Sequence, residues 1–412
     1  MDDIVVGIDV GTTKICTLVG RVEAERIRIL GVGIEPSDGI KKGVIVDLNA
    51  ASQAITRSVE KAEYTSGVEI TGAVVSLAGA HVASINSRGV AAVAGEAIDE
   101  MDVARALEAA QAVAIPHNRE IIHIVQRGFR VDGQDGIHQP LGMHGYRLEV
   151  EAHIITAAQA TVENLRQAVG AAGVDVLQFV LNPLASGDVV LTPAEREMGV
   201  AVCDIGGGTT DLALYVDGSV WHTMVLAVGG NHITNDIAHG LRLPISQAEE
   251  IKKQHGYALK AGVGAEETFR VQVFGEDVPA EISRHDMAHI IEARVEEIFA
   301  LILQEIKRSG YDGLLPAGMV LTGGTSALPG IRQLAAQVLG MPVRTAQPEN
   351  LVGLVDQLHS PAFSTSIGLL YWAAALTGED KPHRRRSPRR APQGERQADF
   401  SALKEWLRRL LP

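Results

Sequence analysis

Val200-Ala201-Val202-Cys203-Asp204-Ile205-Gly206-Gly207-Gly208-Thr209-Thr210, continued by Asp211-Leu212-Ala213-Leu214-Tyr215, decides the reading of this chain. An apolar run ends in aspartate, a glycine–threonine turn follows, and a second apolar run begins. Far upstream, Val5-Val6-Gly7-Ile8-Asp9-Val10-Gly11-Thr12-Thr13-Lys14, followed by Ile15-Cys16-Thr17-Leu18-Val19, repeats the pattern. One copy alone reads equally well as an ordinary hairpin with a tight turn. Two copies predict a duplicated domain with a phosphate-binding cleft between its halves.

The residue types suit a phosphate. Glycine reaches φ > 0 and lets backbone approach a ligand. Successive amides in such a turn can form a concave nest for an anion. The hydroxyls of Thr12, Thr13, Thr209 and Thr210 can donate to phosphate oxygens, and Lys14 can neutralise one. Asp9 and Asp204 would repel phosphate unless a cation lies between them, and Mg²⁺ needs only one or two nearby carboxylates. No G-x-x-x-x-G-K-[ST] occurs in the chain, which excludes a P-loop. Gly31-Val32-Gly33 lacks a third glycine and runs into Pro36, which excludes a Rossmann fingerprint.

Two further segments extend the site. Met319-Val320-Leu321-Thr322-Gly323-Gly324-Thr325-Ser326-Ala327-Leu328-Pro329-Gly330 predicts a strand, a Gly-Gly turn on which a flat base can lie, and a helix start. Ser246 to His255 predicts a helix stopped by Gly256. Glu249 and Lys252, three apart, share a face of it. Glu249 can accept from ribose hydroxyls while Lys252 flanks the base; alone, the segment reads as a solvated charged helix.

The chain has 412 residues, 46% of them hydrophobic, enough for more than one folded unit. Alternating strand and helix patterns predict α/β architecture. Cys16 and Cys203 are the only cysteines, both in expected strands, so no disulfide framework follows and a reducing compartment fits. The chain enters a strand at once, so no signal peptide is expected. No apolar run reaches the roughly 18 residues of a membrane span, and Ser366 to Leu376 reads as a packed helix. Net charge is −13, yet residues 381–412 hold ten Lys/Arg against three Asp/Glu. An acidic body with a basic tail suggests an electrostatic address.

Along the chain, residues 1–80 read as the first phosphate strand pair and a helix from Ala50 to Glu63. Residues 81–158 read as strand Val82–Ser87, helix Met101–Ala112, strands Glu120–Gln126 and Gly128–Val131, a loop Asp132–Gly145, and strand Tyr146–Ile155. His117, His123, His138, His144 and His153 lack metal spacing and read as surface or core residues. Residues 159–198 complete the first half. The second half covers 199–376, with an outer lobe at about 226–308 that includes a helix Asp286–Arg308. Residues 377–397, with Pro382, Pro388, Pro392 and six arginines, read as a flexible linker. In 398–412, Phe400, Leu403, Trp406, Leu407, Leu410 and Leu411 fill an arc of about 140° on a helix. Lys404, Glu405, Arg408 and Arg409 occupy the other side, and Asp399 suits the N-cap. A basic amphipathic helix containing Trp, behind a linker, reads as a membrane-surface anchor; docking into a protein groove is the alternative.

The order of the two hairpins, the A-E-x-I-K helix and the L-T-G-G-T turn resembles the actin superfamily of ATPases. Within it, Gly39-Ile40-Lys41-Lys42-Gly43-Val44-Ile45-Val46-Asp47, Gly199 to Leu214, and Val320 to Pro329 resemble the bacterial cell-division FtsA family, from about residue 3 to 376 and again at the C-terminus. The resemblance implies an actin-like α/β fold: two duplicated ribonuclease-H-like halves around a nucleotide cleft, with an inserted α+β subdomain of SHS2 type at 81–158. It implies ATP and Mg²⁺ as ligands, and filaments of the protein itself. It implies a peripheral place on the cytoplasmic face of the membrane at the division site. It further implies the tail of the tubulin-like protein FtsZ as a partner near helix Asp286–Arg308, where Arg294 reads as exposed. Later division proteins would be recruited through the inserted subdomain. Many family members carry Glu where this chain has Asn182. Asparagine can orient water but cannot accept its proton, so the resemblance implies at most weak ATP hydrolysis. Two other readings share the fold: a small-molecule kinase, which would need a substrate pocket with a catalytic aspartate in the first half, none being evident at a strand end besides Asp9, and a pilus-assembly scaffold, which usually lacks such a tail. The acidic body argues against a nucleic-acid binder.

Overall fold

The structure, a computed structural model, describes residues 4–23, 26–112, 115–273 and 279–379. Phe400, Leu403, Trp406, Leu407, Leu410 and Leu411, on the helix expected at 398–412, and all but the start of the expected linker lie outside the described residues. Residues 377–379, expected as linker, instead continue the helix Ser364–Glu379.

Strand Ile4–Val10 is rich in Val and Ile and buried along almost its whole length, as a central strand covered on both faces must be. It pairs antiparallel with Lys14–Glu23 and parallel with Gly72–Leu77. Its sheet runs Asp175–Leu181, Gly72–Leu77, Ile4–Val10, Lys14–Glu23, Arg26–Pro36, with the short Val352–Gly353 beyond. The second sheet runs Val343–Thr345, Met319–Thr322, Val200–Ile205, Thr210–Val216, Ser219–Leu226. Five strands match in order and direction. The repeat read from two hairpins therefore extends to whole sheets.

Helices follow the same plan. Leu48–Ser66 lies between the third and fourth strands of the first half, as Arg284–Ser309 does in the second. Asp47 caps the former by accepting from the Ala50 amide at 3.0 Å, and Gly67 ends it at φ 68°. Asn182–Val190 and Ser364–Glu379 follow the last sheet strands of their halves and pack on each other between the two sheets. They approach so closely that a Cβ on Gly368 would overlap the Ala185 carbonyl. One core thus lies between the sheets, holding Leu18, Val74, Val202, Ala213, Leu184 and Leu370, and a further core lies on the outer face of each sheet.

The insert has its own sheet and core. Its strands run in the order Ala83–Ala92, Arg147–Ala158, Arg119–Val131, Gln134–Ile137, all antiparallel, with helix Glu100–Gln111 on one face. A Cβ on Gly89 would overlap the Ala106 carbonyl, so glycine sets that contact. The two strands expected at Glu120–Gln126 and Gly128–Val131 form one, and the ladder absorbs the irregularity as a register shift at Glu151/Ala152. Strand Gln134–Ile137 lies where a loop was expected. Among the described residues no helix is long and apolar enough to cross a membrane.

Candidate functional site

The two glycine turns face each other across a cleft of about 400 Å³. Each turn is closed by the same bond: the Gly11 amide donates to Lys14 O at 3.0 Å, and the Gly206 amide to Thr209 O at 2.9 Å. None of Gly11, Gly206, Gly207 and Gly208 takes a positive φ, contrary to the first reason for glycine there. Their need is space. A Cβ on Gly207 would overlap Thr13 Oγ1, and one on Gly208 would lie 2.5 Å from Thr12 Oγ1. Threonines on one turn thus require glycines on the other.

Asp9 and Asp204 end the central strands of the two sheets and line the cleft, 7% and 6% exposed. Adjacent residues of one helix hold both. Ser366 Oγ donates to Asp9 Oδ2 and Thr365 Oγ1 to Asp204 Oδ2, each at 2.7 Å. Among the described residues these are the hydrogen bonds that hold the two carboxylates by their Oδ2 atoms. Burial is the main cause that pushes the Asp204 carboxyl up to about 6; the Thr365 bond opposes it and the Asp9 charge adds to it. Among the described residues no group of three or more His, Cys, Asp or Glu side chains could hold a metal ion. Two carboxylates lining one cleft fit a cation such as Mg²⁺ that takes its other ligands from water and phosphate.

Gly11, Thr12, Thr13, Lys14, Gly206, Gly207, Gly208, Thr209, Glu249, Lys252, Gly323, Gly324 and Thr325 all line this cleft, as does Asn182. Lys14 Nζ lies 4.4 Å from the centre of the Phe363 ring and donates to the Ala362 carbonyl. Thr12 Oγ1 accepts from the Gly43 amide at 3.1 Å, which ties the Lys41-Lys42-Gly43 loop to the first turn. Thr210 is placed differently from the expectation: its buried hydroxyl donates to Val228 O at 2.8 Å, and it does not line the cleft. A strand residue next to the turn points by alternation into the sheet, so this threonine is structural.

At the far wall Lys252 Nζ lies 2.5 Å from Glu249 Oε2, 2.8 Å from Thr234 Oγ1 and 3.1 Å from Gly230 O. The shared helix face was legible; its tie to helix Gly230–Leu241 was not. Gly256 does end helix Ile245–His255, but at φ −64°, so a left-handed cap is not the reason. A Cβ there would overlap Lys252 O. Gly323 does sit at φ 83°, and a Cβ on it would overlap Asp204 Oδ1. Its role is to pass beside that carboxylate rather than only to support a flat base.

Three functional residues escaped the sequence reading. Ser366 was read as the start of a packed helix, and Thr365 was not singled out. Asp211 lines the cleft 1% exposed, directly across the ladder from Asp204. Burial, then the neighbouring Asp204 charge, raises its carboxyl well above the usual range. Thr209 Oγ1 donates to its Oδ2 at 2.9 Å. A carboxylate second in an otherwise apolar strand was the available signal.

Arg294, expected to be exposed, is half-buried on helix Arg284–Ser309. Its side chain is 26% exposed and pairs with Asp236 at 2.5 and 3.0 Å and with Glu297 at 2.6 Å.

Two sheets of one strand order, a shared pair of central helices and a cleft between matching turns define an actin-like fold with an inserted SHS2 domain. The structure is similar to a PilM–PilN type IV pilus biogenesis complex, TM-score 0.62 and 17% identity, over 90% of this chain and 98% of that one. It is similar also to MreB5 of Spiroplasma citri bound to ADP, TM-score 0.55 and 15% identity, over 92% and 99%. Residues 201–368 match the family model for cell division protein FtsA, and residues 79–156 match that for the SHS2 domain inserted in FtsA. The chain is 42% identical over 369 residues to cell division protein FtsA of Pseudomonas aeruginosa, covering 89% of this chain and 88% of the relative. It is 35% identical over 392 residues to that of Escherichia coli, covering 93% of each. The chain belongs to the FtsA family of cell division proteins.

Proposed function

We propose that this chain binds ATP with Mg²⁺ in the cleft between its halves, polymerises on the cytoplasmic face of the cell membrane, anchors the FtsZ ring there and recruits later division proteins. The observation that carries the reading is the pair of facing turns with Asp9 and Asp204 at their base, held by adjacent hydroxyls of one helix. Amides and hydroxyls of residues 11–13 and 206–209 would surround the phosphates, and Lys14 would neutralise one of them. Asp9 and Asp204 would hold the cation through its waters; the cation supplies charge neutralisation when bound. Glu249, Lys252, Gly323, Gly324 and Thr325 would form the nucleoside end. Asn182 can orient a water at the phosphate end but cannot take its proton, so hydrolysis would be weak at most.

The basic amphipathic helix at 398–412 would be the membrane anchor. Six large side chains, partly buried at roughly 25 cal/mol per Å², attach one copy only marginally. Filaments would multiply weak anchors into firm attachment. Electron microscopy on anionic lipid with ATP tests the whole reading: ordered protofilaments are expected, and dispersed particles would count against a scaffold. Trp406→Glu should abolish sedimentation with anionic liposomes while ATP affinity stays intact. A variant that still pellets would move the helix to the groove-docking alternative.

A further inference from the structure

The residue that precedes Asn182 is tied from outside its own half. Asn182 opens the helix Asn182–Val190 directly after Leu181, the last residue of strand Asp175–Leu181. That strand is the edge of its sheet, and a buried amide on a free edge needs a partner from elsewhere. The partner comes from the inserted subdomain: the Leu181 amide donates to His123 Nε2 at 3.1 Å. Leu181 is fully buried and His123 is 7% exposed, so water does not compete for this bond. The His123 ring also lies 5.3 Å from the ring of Trp372, on the helix whose first turn holds Asp9 and Asp204. Burial lowers the His123 pKa to about 4. The ring is therefore neutral at ordinary pH, and Nε2 is free to accept. The insert is itself anchored to the other half: His153 Nε2 lies 3.0 Å from Thr223 Oγ1, and Ser84 Oγ donates to Thr223 O at 3.0 Å.

Asn182 lines the cleft, and its Oδ1 has no hydrogen-bond partner among the described residues. We propose that His123 of the inserted subdomain is a positioning residue for Asn182, so that the insert sets the geometry at the terminal-phosphate end of the cleft. The assignment rests on the reading of the cleft as an ATP site. It makes the insert a coupling element: a ligand that displaces strand Arg119–Val131 would change ATP affinity, and ATP would change that ligand's affinity by the same factor.

The test is a double-mutant cycle on the full chain, read as ATP and ADP affinity in the presence of Mg²⁺. Asn182→Ala should weaken ATP about tenfold and ADP less than about twofold, a difference of about 1.4 kcal/mol in ATP binding. His123→Phe keeps a ring against Trp372 but has no acceptor, and should give the same selective loss. His123→Gln, with an acceptor restored, should recover most of it. The double variant should be no worse than Asn182→Ala alone. Equal loss of ATP and ADP in His123→Phe, losses that multiply in the double variant, or no loss at all would each overturn the assignment while leaving the ATP site standing. Wild-type protein that binds neither nucleotide would overturn the cleft reading and this assignment with it. A measurement without variants guards against misfolding: the Leu181 amide should exchange as slowly as the core strands, and exchange at an open-edge rate would remove His123 as its partner.

Discussion

In the first half the strand partner of Asp9 is Cys16; in the second half the partner of Asp204 is Asp211. The two pairs occupy equivalent rungs of equivalent hairpins. Burial pushes the Cys16 thiol up to about 12 and raises the Asp211 carboxyl well above its ordinary range. Both positions therefore favour an uncharged group beside a carboxylate that must serve the cleft. The turns diverge in the opposite sense: Thr12, Thr13 and Lys14 on one side, Gly207, Gly208 and Thr209 on the other. The comparison teaches that the duplicated frame fixes where backbone and carboxylates go, while side-chain volume is divided between the halves, so that two close turns never both carry it.

The sharpest way to break that comparison is to put volume on the wrong side. Gly207→Asp would overlap Thr13 Oγ1 and bring a negative charge to the phosphate end. ATP affinity should fall at least about 100-fold, or about 3 kcal/mol. Gly11→Ala, whose Cβ would lie 2.8 Å from Lys14 O, should cost only about tenfold. A titration in which the two variants lose equally would show the turns to be interchangeable. Wild-type affinity in a folded Gly207→Asp protein would remove the phosphates from this turn.

A second effect follows from the pH dependence of Asp204. The Asp204 carboxyl sits at about 6 in the fold, above its ordinary value of 3.8. The folded state thus binds the proton more tightly than the unfolded chain. The stability this contributes is complete below about pH 4, falls as pH rises, and is lost by about pH 6. The shift corresponds to about 3 kcal/mol. Without nucleotide, Asp204→Asn should flatten the fall in thermal stability between about pH 4 and 6 and raise the melting temperature at pH 7. The same variant should bind ATP less tightly with Mg²⁺. A melting temperature at pH 7 that drops on substitution would show that the Asp204 carboxylate is stabilised by its surroundings rather than penalised by burial.

How much of this was legible follows from how local each signal is. An apolar run, an aspartate and a glycine turn lie within about a dozen residues, so both hairpins and their facing cleft could be read directly. The helices Leu48–Ser66 and Arg284–Ser309 were placed, with ends a few residues short, because their apolar period is local. The ties of Thr365 to Asp204 and of Ser366 to Asp9 span 161 and 357 positions and leave no local trace. Strand Arg119–Val131 was split at Arg127, the residue that the register shift of the ladder leaves unpaired. Thr210 was misplaced by counting it with the turn when it is already the first strand residue. His123 read as a bland core or surface histidine, since its value lies in an amide on another strand.

The smallest effect concerns a helix that is longer in the second half than its counterpart in the first. Arg284–Ser309 runs 26 residues where Leu48–Ser66 runs 19, and Arg294 lies in its N-terminal half, tied to Asp236 of helix Gly230–Leu241. If an FtsZ tail docks beside this helix, as the family resemblance implies, the cation it would meet already has two carboxylate partners. Arg294→Glu would set three carboxylates together and should cost about 1 kcal/mol of stability, since the pairs are partly exposed. It should also weaken binding of an FtsZ tail peptide several-fold. The charge swap Asp236→Arg with Arg294→Glu rebuilds the pair and should restore stability. If peptide affinity stays weak in the swap, Arg294 meets the tail directly. If affinity returns with stability, Arg294 acts only by holding the two helices together, and the tail docks elsewhere on them. Unchanged affinity in the single variant would take Arg294 out of the site altogether.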